Sequence, residues 1–258
     1  MHRPTANRSI APRLLAVAAL ALLALGLAGC KKDSAAESAP TALATPLPAV
    51  PAPAGKAWAD QIVATPEGGY RMGNPQAPIK IVEYGSLTCP HCAEFSEKGS
   101  ATIRDQWVAS GRVSYEFRHF VRDGLDLTLG LLTRCGQPET FFALTEQVFA
   151  NQKPLFESLK GHDAQMQAAM SAPAGQRFLA VAEAANLTPF FAERGVSVDQ
   201  AKACLSQSAT AETMAKQTTE QGDKYQIEGT PTFLVNGDKI GTSTWEEFKV
   251  RIEALGVR

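Results

Sequence analysis

An α/β domain interrupted by a long all-helical insertion is predicted for this chain by three observations. An apolar run over residues 79–85 leads directly into Cys89-Pro90-His91-Cys92 and then into a helix-patterned stretch. Residues 125–207 carry helical periodicity throughout, with no strand-like alternation. Thr232-Phe233-Leu234-Val235 then meets Lys239-Ile240 across Asn236-Gly237, a two-residue hairpin signal, with a last helix behind it.

The chain begins with a segment of different composition. Arg3, Arg8 and Arg13 precede an apolar stretch over residues 14–28, the charged and apolar regions of an export leader. About 15 apolar residues is short for a membrane span, which needs roughly 18. Leu27-Ala28-Gly29-Cys30 resembles the bacterial lipobox. That resemblance implies a signal peptide over residues 1–29, cleaved before Cys30, and lipidation of Cys30, which would anchor the protein to a membrane. Residues 34–57 are almost entirely Ala, Pro, Ser, Thr, Leu and Val. Such a composition builds no core, so residues 30–57 are expected to be a lipidated cysteine and an extended tether. The folded domain is expected over residues 58–258, long enough for a sizeable core.

Loss of the leader removes three Arg and no acid, taking the net charge from −1 to −4. No basic run remains, which excludes nucleic acid as a partner. With Cys30 set aside, Cys89, Cys92, Cys135 and Cys204 form an even set suited to an oxidising compartment.

Within the domain, residues 79–85 are apolar on both parities apart from Lys80 and Glu83, as in a central strand buried on both faces. Pro90 suits a first helical turn. The helix it opens, carrying Phe95, Ile103 and Trp107, is expected to run to about Ser110 and end at Gly111. Residues 113–117 alternate as a second strand. In the insertion, Leu125, Leu129 and Leu132 share one face, Phe141, Leu144 and Val148 another, and Pro154, Pro173 and Pro189 mark breaks. Another helix is expected over residues 209–225, and Thr244 is placed to cap the last helix, which runs to about Leu255. Arg118 and His119 follow the second strand and read as solvated loop residues rather than as lining of the cleft, and Met166 and Met170 as core rather than peptide-binding surface.

Strand, Cys-x-x-Cys and helix in that order is the thioredoxin arrangement for dithiol–disulfide exchange. A helix N-terminus offers unpaired N–H groups and a partial positive charge, both of which favour a thiolate at Cys89. Cys92 then lies close enough to resolve a mixed disulfide. A cationic His91 beside the thiolate would favour it further. Desolvation of Glu83 on a central strand would raise its pKa, leaving a group able to exchange protons with a thiol near neutral pH.

The Cys-Pro-His-Cys sequence, Gly229-Thr230-Pro231 before the hairpin, Glu83 six residues ahead of Cys89 and the size of the helical insertion together resemble the DsbA family, over residues 74–258. The resemblance implies a thioredoxin-like fold with the all-α insertion between the second strand and the C-terminal hairpin–helix unit. It implies Cys89 as nucleophile, Cys92 as resolving thiol, Pro231 as a cis proline facing them and Glu83 as a buried acid. Thr230 would offer its backbone to an extended substrate segment as an added strand. Cys135 and Cys204 depart from the best-known enterobacterial members and are similar to a branch with an extra disulfide in the helical domain. The implied activity is donation of disulfides to reduced exported proteins in the bacterial periplasm, by a monomer that a quinone-linked membrane partner reoxidises and that needs no cofactor. A reductase or isomerase is an alternative, although residues 34–57 cannot supply the folded dimerisation domain of isomerases with this fold. A structural zinc site would want a second close ligand pair, and Cys135 and Cys204 lie far apart in sequence. A copper-handling or binding module is the remaining alternative, and its Cys-x-x-x-Cys spacing is one residue longer than the spacing here.

Overall fold

The structure, a computed structural model, describes residues 45–257. The leader and Cys30 lie outside the described residues. A six-stranded sheet of order β1-β2-β4-β3-β5-β6 is formed by β1 (Ile62–Ala64), β2 (Tyr70–Gly73), β3 (Ile79–Gly85), β4 (Val113–His119), β5 (Thr232–Val235) and β6 (Asp238–Thr242). Central β3 runs parallel to β4 and antiparallel to β5, which puts Glu83 between Phe117 and Phe233.

Helix α1 (Pro90–Thr102) follows β3 and continues as a π-type turn through Val108. Its apolar side packs with α10 (Trp245–Ile252) on the face of the sheet that carries Phe233. Phe95 packs at a tilt against Phe233 at 4.6 Å between centroids, Phe233 against Phe248 at 4.3 Å, and Trp107 against Trp245 at 5.4 Å. Aromatic pairs at these separations add about 1 kcal/mol each beyond their area burial.

The insertion contains α2 (Gly124–Thr133), α3 (Phe141–Ala150), α4 (Gln152–Glu157), α5 (Asp163–Met170), α6 (Ala174–Ala184), α7 (Leu187–Ala192) and α8 (Val198–Leu205). Helix α9 (Ser208–Tyr225) returns the chain across the other face of the sheet, where Tyr225 meets Tyr84 and Gln221 reaches Arg118. Cys135, just after α2, and Cys204, in α8, are joined by a disulfide. Among the described residues, no helix is long and apolar enough to cross a membrane.

Local signals read from the sequence correspond to local geometry. Asn236 and Gly237 both adopt positive φ, 54° and 94°, as a two-residue turn between twisted strands requires. Thr244 caps α10 in a reciprocal box with Glu247.

Two strands have no counterpart among the sequence expectations, and two expectations need correction. Strands β1 and β2 went unassigned, because segments of three and four residues around a Pro66–Gly69 turn are too short to show alternation. Arg118 and His119 are not solvated loop residues. Strand β4 pairs with β3 as far as Gly85 opposite His119, burying His119 to 8% exposure and tying Arg118 to Glu116 and Tyr84. The helix expected to run to about Ser110 does continue, in α form to Thr102 and in π form through Val108, and Gly111 ends it at a positive φ of 74°. Finally, residues 45–57 are not a free tether. Leu47 N–H donates to Gly256 O at 2.8 Å, Val50 N–H to Ser110 O at 2.9 Å and Arg112 Nε to Leu47 O at 2.6 Å. Prolines hold this segment extended, which leaves its other backbone groups free to pair with the domain.

Candidate active site

Cys89 is the N-cap of α1, with extended φ/ψ of −88° and 121°, and Pro90 fills the first helical position, where a missing N–H costs nothing. Cys92 follows in the first turn, fully buried, while His91 and Pro90 face solvent. Both cysteines are free thiols. Facing them is the cis peptide Thr230–Pro231, and the Cys89 thiol donates to Thr230 O at 3.2 Å.

The two sulfurs have opposite electrostatics. A hydrogen bond from the Cys92 thiol is the largest influence on Cys89; with the Thr230 side chain and the N–H groups of Cys92 and His91, it overcomes burial and brings the Cys89 thiol down to about 4. The His91 imidazole, expected to assist, is not among these groups; its backbone N–H is. Cys89 is also only 4% exposed, more enclosed than a surface nucleophile. Burial, the hydrogen bond it gives to Cys89 and the charge of Glu83 push Cys92 well above the ordinary thiol value. Near neutral pH the pair therefore holds one thiolate and one thiol.

Glu83 is 2% exposed on β3. Burial raises its carboxyl to about 8 against the opposing effect of a short hydrogen bond from Tyr115 OH on β4. The acid is thus largely protonated at neutral pH. The linkage sign is unusual for a carboxylate. In the unfolded chain Glu83 ionises above about 4.5, so its burial costs stability that grows as pH rises from 4.5 to 8 and then levels off. Glu83→Gln should therefore stabilise the protein at pH 7 by on the order of 3 kcal/mol. The gain should vanish near pH 4.5, and thermal melts across that range would check it.

A cavity of about 390 Å³ opens beside the cysteines, lined by His91, Phe95, Thr230, Pro231, Trp245 and Glu247. A larger cleft of about 680 Å³ lies against Lys80, Ser114 and Glu116, at the other end of the strands and remote from the thiols. Cys135 and Cys204 are bonded to each other, and among the described residues no group of three His, Cys, Asp or Glu is placed to hold a metal ion.

Two residues of the site carried no signal in the sequence. Asp126 on α2 and Gln152 at the start of α4 both hydrogen-bond the loop that delivers Cys89. Tyr115 was read only as part of a strand. A buried polar side chain in a helical pattern looks like any solvated one until its neighbours are known.

The thioredoxin family model matches residues 65–254. The crystal structure of a protein-disulfide isomerase from Novosphingobium aromaticivorans is 32% identical, with a TM-score of 0.69 over 72% of this chain and 96% of that one. Wolbachia pipientis alpha-DsbA1, at 22% identity and a TM-score of 0.59, covers 72% of this chain and 89% of its own and shares the fold, helical insertion included. A curated relative from Rickettsia felis, named for protein-disulfide oxidoreductase activity, is 24% identical over 183 residues, 70% of this chain; the chain spans 58% of that relative's length. A helix-capping Cys-x-x-Cys opposite a cis proline, on a sheet of this order and with these relatives, makes the chain a member of the thioredoxin family.

Proposed function

We propose that the protein is a thiol:disulfide oxidoreductase that donates disulfides to reduced exported proteins through Cys89 and Cys92. The observation that carries the reading is the pairing of a stabilised Cys89 thiolate with a buried, protonated Cys92. A couple whose reduced form is favoured in this way gives its disulfide away readily.

In the proposed cycle a client thiolate attacks Cys89 Sγ of the Cys89–Cys92 disulfide. The S–S electron pair leaves on Cys92 Sγ, which takes a proton from the neighbouring Glu83 carboxyl. A second client thiolate then attacks the client sulfur of the mixed disulfide and expels Cys89 as a thiolate, a good leaving group because it is already stabilised. The client leaves oxidised, the enzyme is left with a Cys89 thiolate and a Cys92 thiol, and the Glu83 carboxylate regains its proton from solvent. A membrane redox partner, quinone-linked, returns the two cysteines to the disulfide. Thr230 and Pro231 line the cavity beside Cys89, where an extended client segment would lie. His91 contributes its backbone N–H, and Cys135–Cys204 serves as a structural bridge. Catalysis by a monomer without cofactor or metal is part of the same reading.

Cys92→Ser should accumulate mixed disulfides through Cys89 when reduced clients are supplied with a small disulfide as oxidant, because no Cys92 thiol remains to attack Cys89 Sγ and reverse the first exchange. Absence of any Cys89-linked adduct in that variant would refute the reading. Glu83→Gln should slow turnover, since it keeps the shape of the side chain and removes its transferable proton.

Location is part of the proposal. The leader pattern and Cys30 support export to the bacterial periplasm with a lipid anchor. One acyl chain holds a protein only marginally, so stable attachment needs the several chains of a bacterial lipoprotein. Cys30→Ala should move the protein from the membrane to the soluble fraction, as fractionation and blotting would reveal.

A further inference from the structure

Residues 86–89 connect the end of β3 to α1, and five of their hydrogen bonds run to the helical insertion. Asp126 Oδ1 accepts from Leu87 N–H at 2.8 Å, and its Oδ2 accepts from Ser86 Oγ at 2.7 Å and Arg122 N–H at 3.0 Å. Gln152 Nε2 donates to two carbonyls at once, Leu87 O at 2.8 Å and Cys89 O at 3.0 Å. Both backbone groups of Leu87 are therefore held by side chains of the insertion. Apart from the exposed Arg122, the members are buried: Ser86 and Leu87 have no exposure, Asp126 has 2% and Gln152 6%.

The Cys89 carbonyl also accepts the first hydrogen bond of α1, from Ala93 N–H at 3.2 Å. A second donor on that oxygen fixes the peptide plane between Cys89 and Pro90. The N–H groups of His91 and Cys92 that stabilise the thiolate lie on the next two peptides, so their aim depends on that plane. Charge-stabilising donors act strongly only when they are held in place before the charge forms.

We propose that Gln152, supported by Asp126, is a positioning residue through which the helical insertion aims the α1 N-terminus at the Cys89 sulfur. The insertion then does more than shape a client surface. It sets the stability of the Cys89 thiolate, and through it the oxidising strength of the couple. This inference rests on the reading of Cys89 as the nucleophile.

Gln152→Met keeps the volume and removes both donors. Relative to wild type it should raise the thiolate pKa of Cys89 by about one unit, and the equilibrium with glutathione should shift about tenfold toward the protein disulfide. Leu155→Ala, in the same short helix but with no bond to the loop, should lower the melting temperature and leave both quantities at their wild-type values. Gln152→Asn, one methylene too short to span both carbonyls, should repeat the Met result and serves where the Met variant does not fold. In the wild type itself, the Gln152 side-chain amide protons should exchange slowly with solvent in the reduced state. Folded Gln152 variants with wild-type thiolate titration and glutathione equilibrium would overturn the proposal, as would fast exchange of both wild-type amide protons. A wild type with no acid-shifted thiolate at all would instead overturn the nucleophile assignment.

Discussion

Titration of the reduced protein by thiolate absorbance should give a single low step near pH 4, and Cys89→Ser should abolish it. The step is low because the Cys89 sulfur receives hydrogen bonds from Cys92, the Thr230 side chain and the first N–H groups of α1, which together outweigh its burial. Its folded value lies below the ordinary thiol value of about 8.5. The stability it contributes is therefore fully present above that ordinary value and is lost as pH falls through 4. At pH 7 three pH units separate the medium from the folded value, which corresponds to about 4 kcal/mol favouring the folded reduced state. The oxidised protein has no thiolate and gains none of this. The reduced form should thus melt at a higher temperature than the oxidised form at pH 7, with the gap closing toward pH 4. A low-pH step that persists in Cys89→Ser, or an oxidised form that melts higher at pH 7, would refute the account of the thiolate.

Replacing both Cys135 and Cys204 by Ala should lower stability by about as much. The bridge spans 69 residues of sequence, and opening a loop of that size restores unfolded-chain entropy worth about 4 kcal/mol in the chain-entropy model. It ties the end of α2 to α8, and so fastens the first part of the insertion to its last. For a domain of about 200 residues the melting temperature should fall by about 10 °C. The low-pH thiolate step should survive, because neither cysteine touches the residues around Cys89. Retained stability with lost exchange activity would reassign the pair to a redox relay.

Legibility from sequence followed the range of the interactions involved. Cys89-Pro90-His91-Cys92 after an apolar strand, Asn236-Gly237 between strands and the Thr244 cap each work through neighbours a few residues away, so their residue types declare them. Edge strand β1 and its neighbour β2 have too few residues to establish a period, and the pairing of β1 with β2 and of β2 with β4 is visible only in three dimensions. Arg118 and His119 were misjudged because strand length is set by the partner: β4 continues as long as β3 does. The Ala/Pro-rich segment was read by composition, which gives its extended conformation but not its docking against Ser110 and Gly256. Asp126, Gln152 and Tyr115 act on residues between 32 and 65 positions away, and nothing in their immediate sequence marks them. Glu83 stood out as an acid on an apolar central strand, and the likeness to the DsbA family added its offset from Cys89.

The equilibrium redox potential of the Cys89–Cys92 couple, measured against glutathione buffers, tests the central claim most directly. A disulfide donor built on a stabilised thiolate should lie clearly above the ~−180 mV of protein disulfide isomerase. A value near the ~−270 mV of thioredoxin would mark a reductase and contradict the account.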